Sequence, residues 1–300
     1  MIFITPSYRP DLERLLCQRE SIRRYCTEPV RHLVVVPKAD RRIFTKRFAG
    51  DPLVEVLVQN DFVDRRFYPK WGYRYINYLA PSQSWRFSQI AGRSGWIIQQ
   101  IAKLSALSMT DESPLVITDS DSIFFRPFGA SDFLAPFGRR ILIRRTSQSD
   151  ESPHQKHVIN SRRLLQLPEG ALGMNYMSVP MVWHRDWLQA LHHYLENLYL
   201  RPWQHTLVQQ TMISEYTLYG LFVDEVLIPE SLSVRPQPYN FGLWKPEELA
   251  TLPAHLDKIR SLASADAAES AVSPICFTLQ SWLGLPPDEY RKILDVAGGG

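Results

Sequence analysis

Leu115-Val116-Ile117-Thr118-Asp119-Ser120-Asp121-Ser122-Ile123-Phe124-Phe125 sets two carboxylates one residue apart at the polar break between two apolar runs. The stretch reads as a buried strand whose end presents a polar site. Side chains at i and i+2 of an extended chain point to the same side, so Asp119 and Asp121 are expected to face one ligand while Ser120 faces away. Two such carboxylates suit a hard divalent cation, which keeps several waters and takes further oxygens from the phosphates of a substrate such as a nucleotide diphosphate. The spacing by itself says little, because average composition supplies it about once in a chain of this length. The apolar runs on either side give it weight.

Working outward, the first half alternates strand and helix patterns, which points to βαβ units and a mainly parallel sheet. Ile2-Phe3-Ile4-Thr5 is a short apolar strand, and the loop Pro6-Ser7-Tyr8-Arg9-Pro10 leads into a helix from Asp11, its expected N-cap, to Tyr25. The β-branched run 31–36 closes at Pro37. Asp40 is expected to cap a helix through Phe48, and 54–58 alternates as a third strand. Residues 60–92, rich in Tyr, Trp, Arg and Pro, read as an irregular excursion over the site, and Gly95 to Leu104 as a helix leading into the strand that ends at Asp119.

The second half is less regular. The polar stretch Thr146 to Gln155 has the composition of a mobile loop, and 181–183 reads as a strand end. Helices are expected over 187–200 and 203–221, a late strand over 223–228, and a Pro-rich loop through Gly242. A strand-like run, 275–279, precedes Gln280-Ser281-Trp282, and the closing Ala297-Gly298-Gly299-Gly300 is expected to be disordered.

Three hundred residues, 45% of them hydrophobic, can bury a substantial single core. A net charge of only +3, with basic residues spread along the chain, argues against nucleic acid as a partner. Cys17 and Cys26 fall on roughly opposite faces of the first helix, and three cysteines in all suit reduced, cytoplasmic usage. The N-terminus lacks a basic leader and no run of eighteen apolar residues occurs, so a soluble chain is expected, with peripheral association at a membrane surface still compatible.

The order of parts resembles the GT-A glycosyltransferases: an N-terminal strand with a Thr-Pro-Ser-Tyr loop, two more βα steps, a helix, then a strand ending in Asp119-Ser120-Asp121. More narrowly, Gly95-Trp96, Gln99-Gln100, Lys103-Leu104 and Ser214-Glu215-Tyr216 to Tyr219-Gly220 resemble a bacterial group of glycosyltransferases. The resemblance implies an α/β GT-A fold, a single Rossmann-like domain with a mainly parallel central sheet flanked by helices. Residues 1–125 would form the donor half and 126–300 the acceptor half. The implied reaction moves a sugar from a nucleotide diphosphate donor to a hydroxyl of a glycan or glycoconjugate, as in bacterial polysaccharide biosynthesis.

The resemblance also assigns roles. Asp121 becomes the firmer ligand of Mn²⁺ or Mg²⁺, with Asp119 on metal-bound water or ribose. Ser120 counts with the donor contacts, as do Thr5, Ser7 and Tyr8, because ligands sit at the carboxyl ends of parallel strands. Gln99 and Lys103 share a helix face beside Gln100, and Lys103 could meet the diphosphate as a point charge. Glu215 is the candidate base of an inverting transfer, although Tyr216 stands where the commoner pattern has Asp; Asp186 and Asp224 are its alternates. Trp183, His184 and Arg185 would line the acceptor side, an aromatic face stacking on sugar rings. The pairs Arg139-Arg140, Arg144-Arg145 and Arg162-Arg163 could attract an anionic acceptor. GT-A enzymes often complete the metal site with a late histidine; none follows His255, which leaves Gln280, Ser281 or water.

Two rivals remain at this level. A phosphotransferase of the haloacid dehalogenase type also places Asp-x-Asp after an apolar strand, but no later Gly-Asp-x-x-x-Asp element occurs here. A non-catalytic sugar-binding protein would keep the aromatics and need neither carboxylate.

Overall fold

The computed structural model describes residues 1–64, 67, 94–146, 152–170, 174–210, 212–264 and 273–298. Strands β1 (Ile2–Pro6), β2 (Arg31–Val36) and β3 (Val54–Val58) form one parallel ladder with β1 at its inner side. Helix α1 (Leu12–Tyr25) crosses from β1 to β2, and α2 (Arg41–Phe48) from β2 to β3. β1 and β2 are buried almost throughout, as the near-continuous apolar strands of a sheet covered on both faces should be.

The chain then returns to the other side of β1. Helix α3 (Ser94–Leu104) leads to β4 (Leu115–Ile117), parallel to β1, with Ile4 opposite Ile117. The strand order is therefore 3-2-1-4, closed by antiparallel β9 (Met181–Trp183) beyond β4. The β1/β4 boundary is the point where the order reverses, and the crevice at the carboxyl ends of these two strands is the natural ligand position. β1 delivers Ser7 and Tyr8 there, and β4 delivers Asp119.

β5 (Ser122–Phe124) leaves this sheet at once and pairs antiparallel with β12 (Cys276–Leu279), itself parallel to β11 (Asn240–Leu243). A two-stranded parallel piece joins β6 (Arg140–Ile143) to β10 (Leu232–Arg235), and a short antiparallel one joins β7 (Arg145–Thr146) to β8 (Met174–Asn175). The main core lies under α3, α4 (Ser152–Leu164), α5 (Arg185–Tyr199), α6 (Trp203–Leu207) and α7 (Glu215–Leu221), against the face of the sheet that presents Ile2, Ile4, Leu33 and Ile117. Helices α8 (Leu252–Ser264) and α9 (Pro287–Ala297) cover the small sheet.

Several expectations are corrected. The helix expected over 203–221 is two helices: Ser214 caps the second by accepting from Thr217 N, and no residue repeats this at the first. The strand expected at 223–228 is a π-helical continuation of α7, Phe222–Leu227. There Val223 is buried and Val226 and Leu227 pack on the core, a face that β-branched residues fill as well in a helix as in a strand. The Pro-rich loop through Gly242 contains β10 and β11. Asp11 and Asp40 make no side-chain cap; the Asp40 carboxylate accepts from Arg9 N instead. Most of the 60–92 excursion and residues 147–151 of the polar loop lie outside the described residues, as do 299–300. Among the described residues no helix is long and apolar enough to cross a membrane, and Cys17, Cys26 and Cys276 are free thiols.

Candidate active site

The strand ahead of the two aspartates stops at Ile117, and Ser120 and Asp121 form a turn, so the simple i, i+2 geometry of an extended chain does not apply. The turn is held from three directions. Thr118 N donates to Ile4 O at 3.1 Å, Ser122 N to Asp119 O at 3.2 Å, and Leu279 N to Asp121 O at 3.0 Å. Gln18, wholly buried on α1, supplies the third hold: its amide NH₂ reaches Thr118 Oγ1 at 3.2 Å, Ser122 O at 3.1 Å and the Asp119 carbonyl. Buried carbonyls need such donors, and one side chain here serves a whole loop.

Asp121 is only 4% exposed. Its Oδ2 accepts from Ser281 N at 2.9 Å, while Oδ1 is buried with no partner. Burial, then the charge of Asp119, then that of Asp11, push its pKa up to about 7, against the pull of the Ser281 amide. Ser120 turns its hydroxyl to Asp11 Oδ2 at 3.4 Å, and Asp11 also holds Arg14. Burial raises the Asp11 carboxyl in spite of Arg14. Three carboxylates, Asp11, Asp119 and Asp121, thus share one electrostatic neighbourhood.

Lys103 enters from α3. Its Nζ lies 2.7 Å from Asp119 Oδ1, 2.7 Å from Glu215 Oε1 and 3.0 Å from Tyr216 Oη, and Tyr216 in turn donates to Asp119 Oδ2 at 3.4 Å. Burial works against the ammonium, but Asp119 and then Glu215 outweigh it and hold its pKa well above the usual lysine value. Burial and Asp119 likewise keep the Tyr216 phenol protonated. Glu215 opens α7 directly after its Ser214 cap, where a helix N-terminus favours negative charge. The structure therefore brings together Lys103, Asp119, Ser120, Asp121 and Glu215. Gln100, one turn earlier on α3, is 3% exposed with neither amide atom partnered among the described residues; Gln99 is half-buried.

The first loop divides. Thr5 is fully buried and belongs to a chain behind the site: with its proton directed at Gln18 Oε1, 3.2 Å away, it accepts from His32 Nε2 at 2.8 Å. It offers nothing to a donor, which corrects the expectation for that residue. Ser7 Oγ is buried and unpartnered, and Tyr8 is exposed beside Asp11 and Arg14.

The residues expected on the acceptor side mostly belong to the frame. Trp183 is completely buried against Tyr216 and Tyr219, so no face of it is open to a sugar. His184 is buried and driven down to about 4, by burial first and Arg140 second. Arg185 caps the carbonyls of Leu107 and Thr110 and pairs with Asp111. Asp186 is paired with Arg140, and Asp224 takes Arg144 Nη1 and Tyr176 Oη, both at 2.7 Å. Arg162 holds Glu225. Arg140, Arg144 and Arg162, one of each pair, thus already carry carboxylate partners, which reduces the attraction expected of the arginine pairs.

Sequence reading missed Gln18, Asp11 and Arg14. Gln18 had a signal: it interrupts the buried stripe Leu15, Ile22 of α1 with an amide, and a buried amide must be bonded to something. The Gln280-Ser281 segment does approach the aspartates, but through an N–H donor, which cannot coordinate a cation. Among the described residues no group of three or more His, Cys, Asp and Glu side chains is arranged around a metal position. Asp119 with the unpartnered Oδ1 of Asp121 still matches a cation that takes its other ligands from water and phosphate, and a cation there would relieve the raised Asp121 carboxyl. A separate open cavity of about 1050 Å³, lined by Lys38, Arg41, Arg42, Lys46 and Asp61 among others, flanks α2 and not the aspartates.

Residues 4–231 match the model of a family of unknown function, DUF6492. Among curated proteins none matches the chain. Of solved structures, an active-site mutant of LgtC is similar at 13% identity and a TM-score of 0.50, covering 100% of this chain and 96% of that one. The galactosyltransferase LgtC with donor and acceptor sugar analogues gives 12% and 0.49 over the same shares. Mouse xyloside xylosyltransferase 1, in its apo form, gives 11% and 0.43 over 95% and 99%. At 13% identity the match to the LgtC mutant is one of fold, and with the parallel 3-2-1-4 sheet flanked by helices it makes this an α/β chain of GT-A type.

Proposed function

We propose, for a chain that belongs to the DUF6492 family and is built on a GT-A frame, that it is a glycosyltransferase using a nucleotide diphosphate sugar and a glycan or glycoconjugate acceptor. The observation that carries this reading is the braced Asp119–Asp121 turn at the β1/β4 switch point, with Asp121 Oδ1 buried and unpartnered. Residues 1–125 form the donor half in this reading and 126–300 the acceptor half.

Asp119 and Asp121 would hold Mn²⁺ or Mg²⁺, which when bound offsets charge on the departing diphosphate. Ser7, Tyr8, Gln99, Gln100 and Ser120 line the donor crevice. Lys103, held between Asp119 and Glu215, keeps Asp119 in place at the donor crevice. Glu215 is the carboxylate assigned in this reading to take the acceptor proton of an inverting transfer, and Lys103 holds it at 2.7 Å. The second half supplies the acceptor wall in this reading, without Arg185, whose guanidinium is taken up by the Leu107 and Thr110 carbonyls. In this reading the chain acts in the cytoplasm in the assembly of a bacterial polysaccharide.

The test is a thermal-shift screen of UDP-glucose, UDP-galactose and GDP-mannose, each with and without Mn²⁺. A ligand that binds only the folded chain raises Tm, by about 2.7 kcal/mol of stabilisation at a hundredfold excess over Kd. A metal-dependent shift that disappears in Asp121→Ala is the expected result. A donor shift that survives this substitution unchanged would remove the aspartates from the site.

A further inference from the structure

The burial of Trp183 leaves the acceptor without the aromatic face that a pyranose ring stacks on, yet the fold supplies another in an unexpected place. β11 and β12 run parallel in register, Leu243 opposite Leu279, and β12 ends beside Asp121, whose carbonyl accepts from Leu279 N. Gln280 N donates to Leu243 O at 3.2 Å, so the chain just beyond each strand is joined to its neighbour. The next residue on one strand is Trp244, 37% exposed. On the other, Ser281 gives its N–H to Asp121 Oδ2, and the residue after it is Trp282, 67% exposed.

The segment carrying Trp282 is rigid. Leu283 N donates to Gln280 O at 3.0 Å and Gly284 N to Ser281 O at 3.2 Å, and Gly284 adopts φ +70°, which closes the turn at low strain only for glycine. Arg14, already bound to Asp11, reaches Leu285 O at 3.3 Å and ties the loop to α1. Trp244 N and Lys245 N are both held by Glu248 Oε2. A large apolar ring kept in solvent on a braced turn, one residue from a group touching the second aspartate, is placed to serve the site. Gln280, half-buried, precedes Ser281 and Trp282, and its amide has no side-chain partner among the described residues.

From this arrangement we infer that Trp282, with Trp244 and Gln280 at the joined ends of β11 and β12, is a carbohydrate subsite that holds the acceptor glycan against the aspartate turn. An exposed indole face stacks on the C–H face of a sugar ring, and a planar amide alongside bonds its hydroxyls; aromatic surface with a few fixed polar groups is the chemistry of such sites. A lipid surface is the other occupant an exposed tryptophan could meet, but Glu247 and Glu248 beside Lys245 and the aspartate turn next to Ser281 would repel an anionic surface. The inference rests on the glycosyl-transfer reading for its purpose and on the β11–β12 geometry for its location.

Wild type, Trp282→Tyr and Trp282→Ala are titrated with lactose, methyl α-glucoside and methyl β-galactoside, read by intrinsic fluorescence and by saturation-transfer NMR. UDP with Mn²⁺ is followed in parallel by thermal shift. At least one glycoside is expected to perturb the wild-type indole signal, with affinity falling about tenfold in Trp282→Ala and less in Trp282→Tyr, while the UDP shift is the same in all three. Glycoside binding unchanged in Trp282→Ala would overturn the subsite, as would wild type engaging no glycoside in the panel. Loss of sedimentation with anionic vesicles in Trp282→Ala, with glycoside binding intact, would overturn it in favour of a membrane contact. Glycoside binding through Trp282 in a protein that no nucleotide shifts would defeat the donor reading and leave the glycan site standing.

Discussion

Lys103 Nζ stands 2.7 Å from Glu215 Oε1, joining α3 to the first residue of α7 across 112 positions of sequence in a place where neither charge meets water. The same ammonium is 2.7 Å from Asp119 Oδ1, so one cation balances two carboxylates.

Breaking a buried pair by removing one partner leaves an uncompensated charge. Lys103→Met should therefore destabilise the fold by about 3–5 kcal/mol in urea unfolding. The double variant with Glu215→Gln should recover a measurable part of that loss. If the double variant is no more stable than the single one, Glu215 is not what Lys103 compensates.

Gln18 braces the aspartate turn through Thr118, Asp119 and Ser122. Gln18→Leu keeps the volume and removes the donors, leaving buried carbonyls unsatisfied at about 1–3 kcal/mol each. Stability should fall accordingly, and the Mn²⁺-dependent nucleotide shift should weaken more than it does in a control of equal stability loss such as Leu15→Ala. An equal effect in both would reduce Gln18 to ordinary core packing.

Asp121 bears a buried carboxylate oxygen with no partner, next to Asp119. Asp121→Asn keeps an oxygen to accept from Ser281 N and removes the charge repulsion, so Tm should stay level or rise while metal-dependent donor binding is lost. That opposition is the signature of a group placed for function at the expense of stability. A marked drop in Tm would argue that the carboxylate serves the fold.

His32 is fully buried and held neutral, its pKa lowered to about 3 chiefly by burial, with Arg19 adding to it. The unfolded chain takes up this proton near pH 6.5 and the folded chain does not, so the neutral ring contributes stability that is complete above about 6.5. That stability is lost progressively as pH falls toward 3, at about 1.4 kcal/mol per pH unit for one such group. His192, also lowered to about 3 by burial, adds in the same direction. Denaturation midpoints measured from pH 7.5 to 4.5 should decline, and His32→Gln should flatten the slope even if it lowers the starting stability.

Much of the donor half was legible because its information is local. The β-branched run at 31–36, the alternation at 54–58 and the helix at 95–104 are patterns within a few residues, and hydrophobic periodicity reports them directly. The Asp119–Asp121 pair was legible for the same reason. The 223–228 run failed because Val223, Val226, Leu227 and Ile228 around two acidic residues fit a strand and a π-helical turn alike, and only the neighbours choose.

The sequence by itself determined the βα order of the described residues ahead of Asp119, the carboxylate pair just past the fourth strand, and, through the resemblance they carry, the GT-A class. Tertiary structure alone decided which groups work together. Trp183 went into the core, Lys103 found Glu215, the Gln18 amide met the Asp119 carbonyl 101 residues away, and Ser281 N reached Asp121 across 160. Strand and helix identity follows from backbone preference and the period of burial along a short segment. A buried charge or amide takes whatever partner the packing of distant segments brings within 3 Å, and no local pattern encodes that.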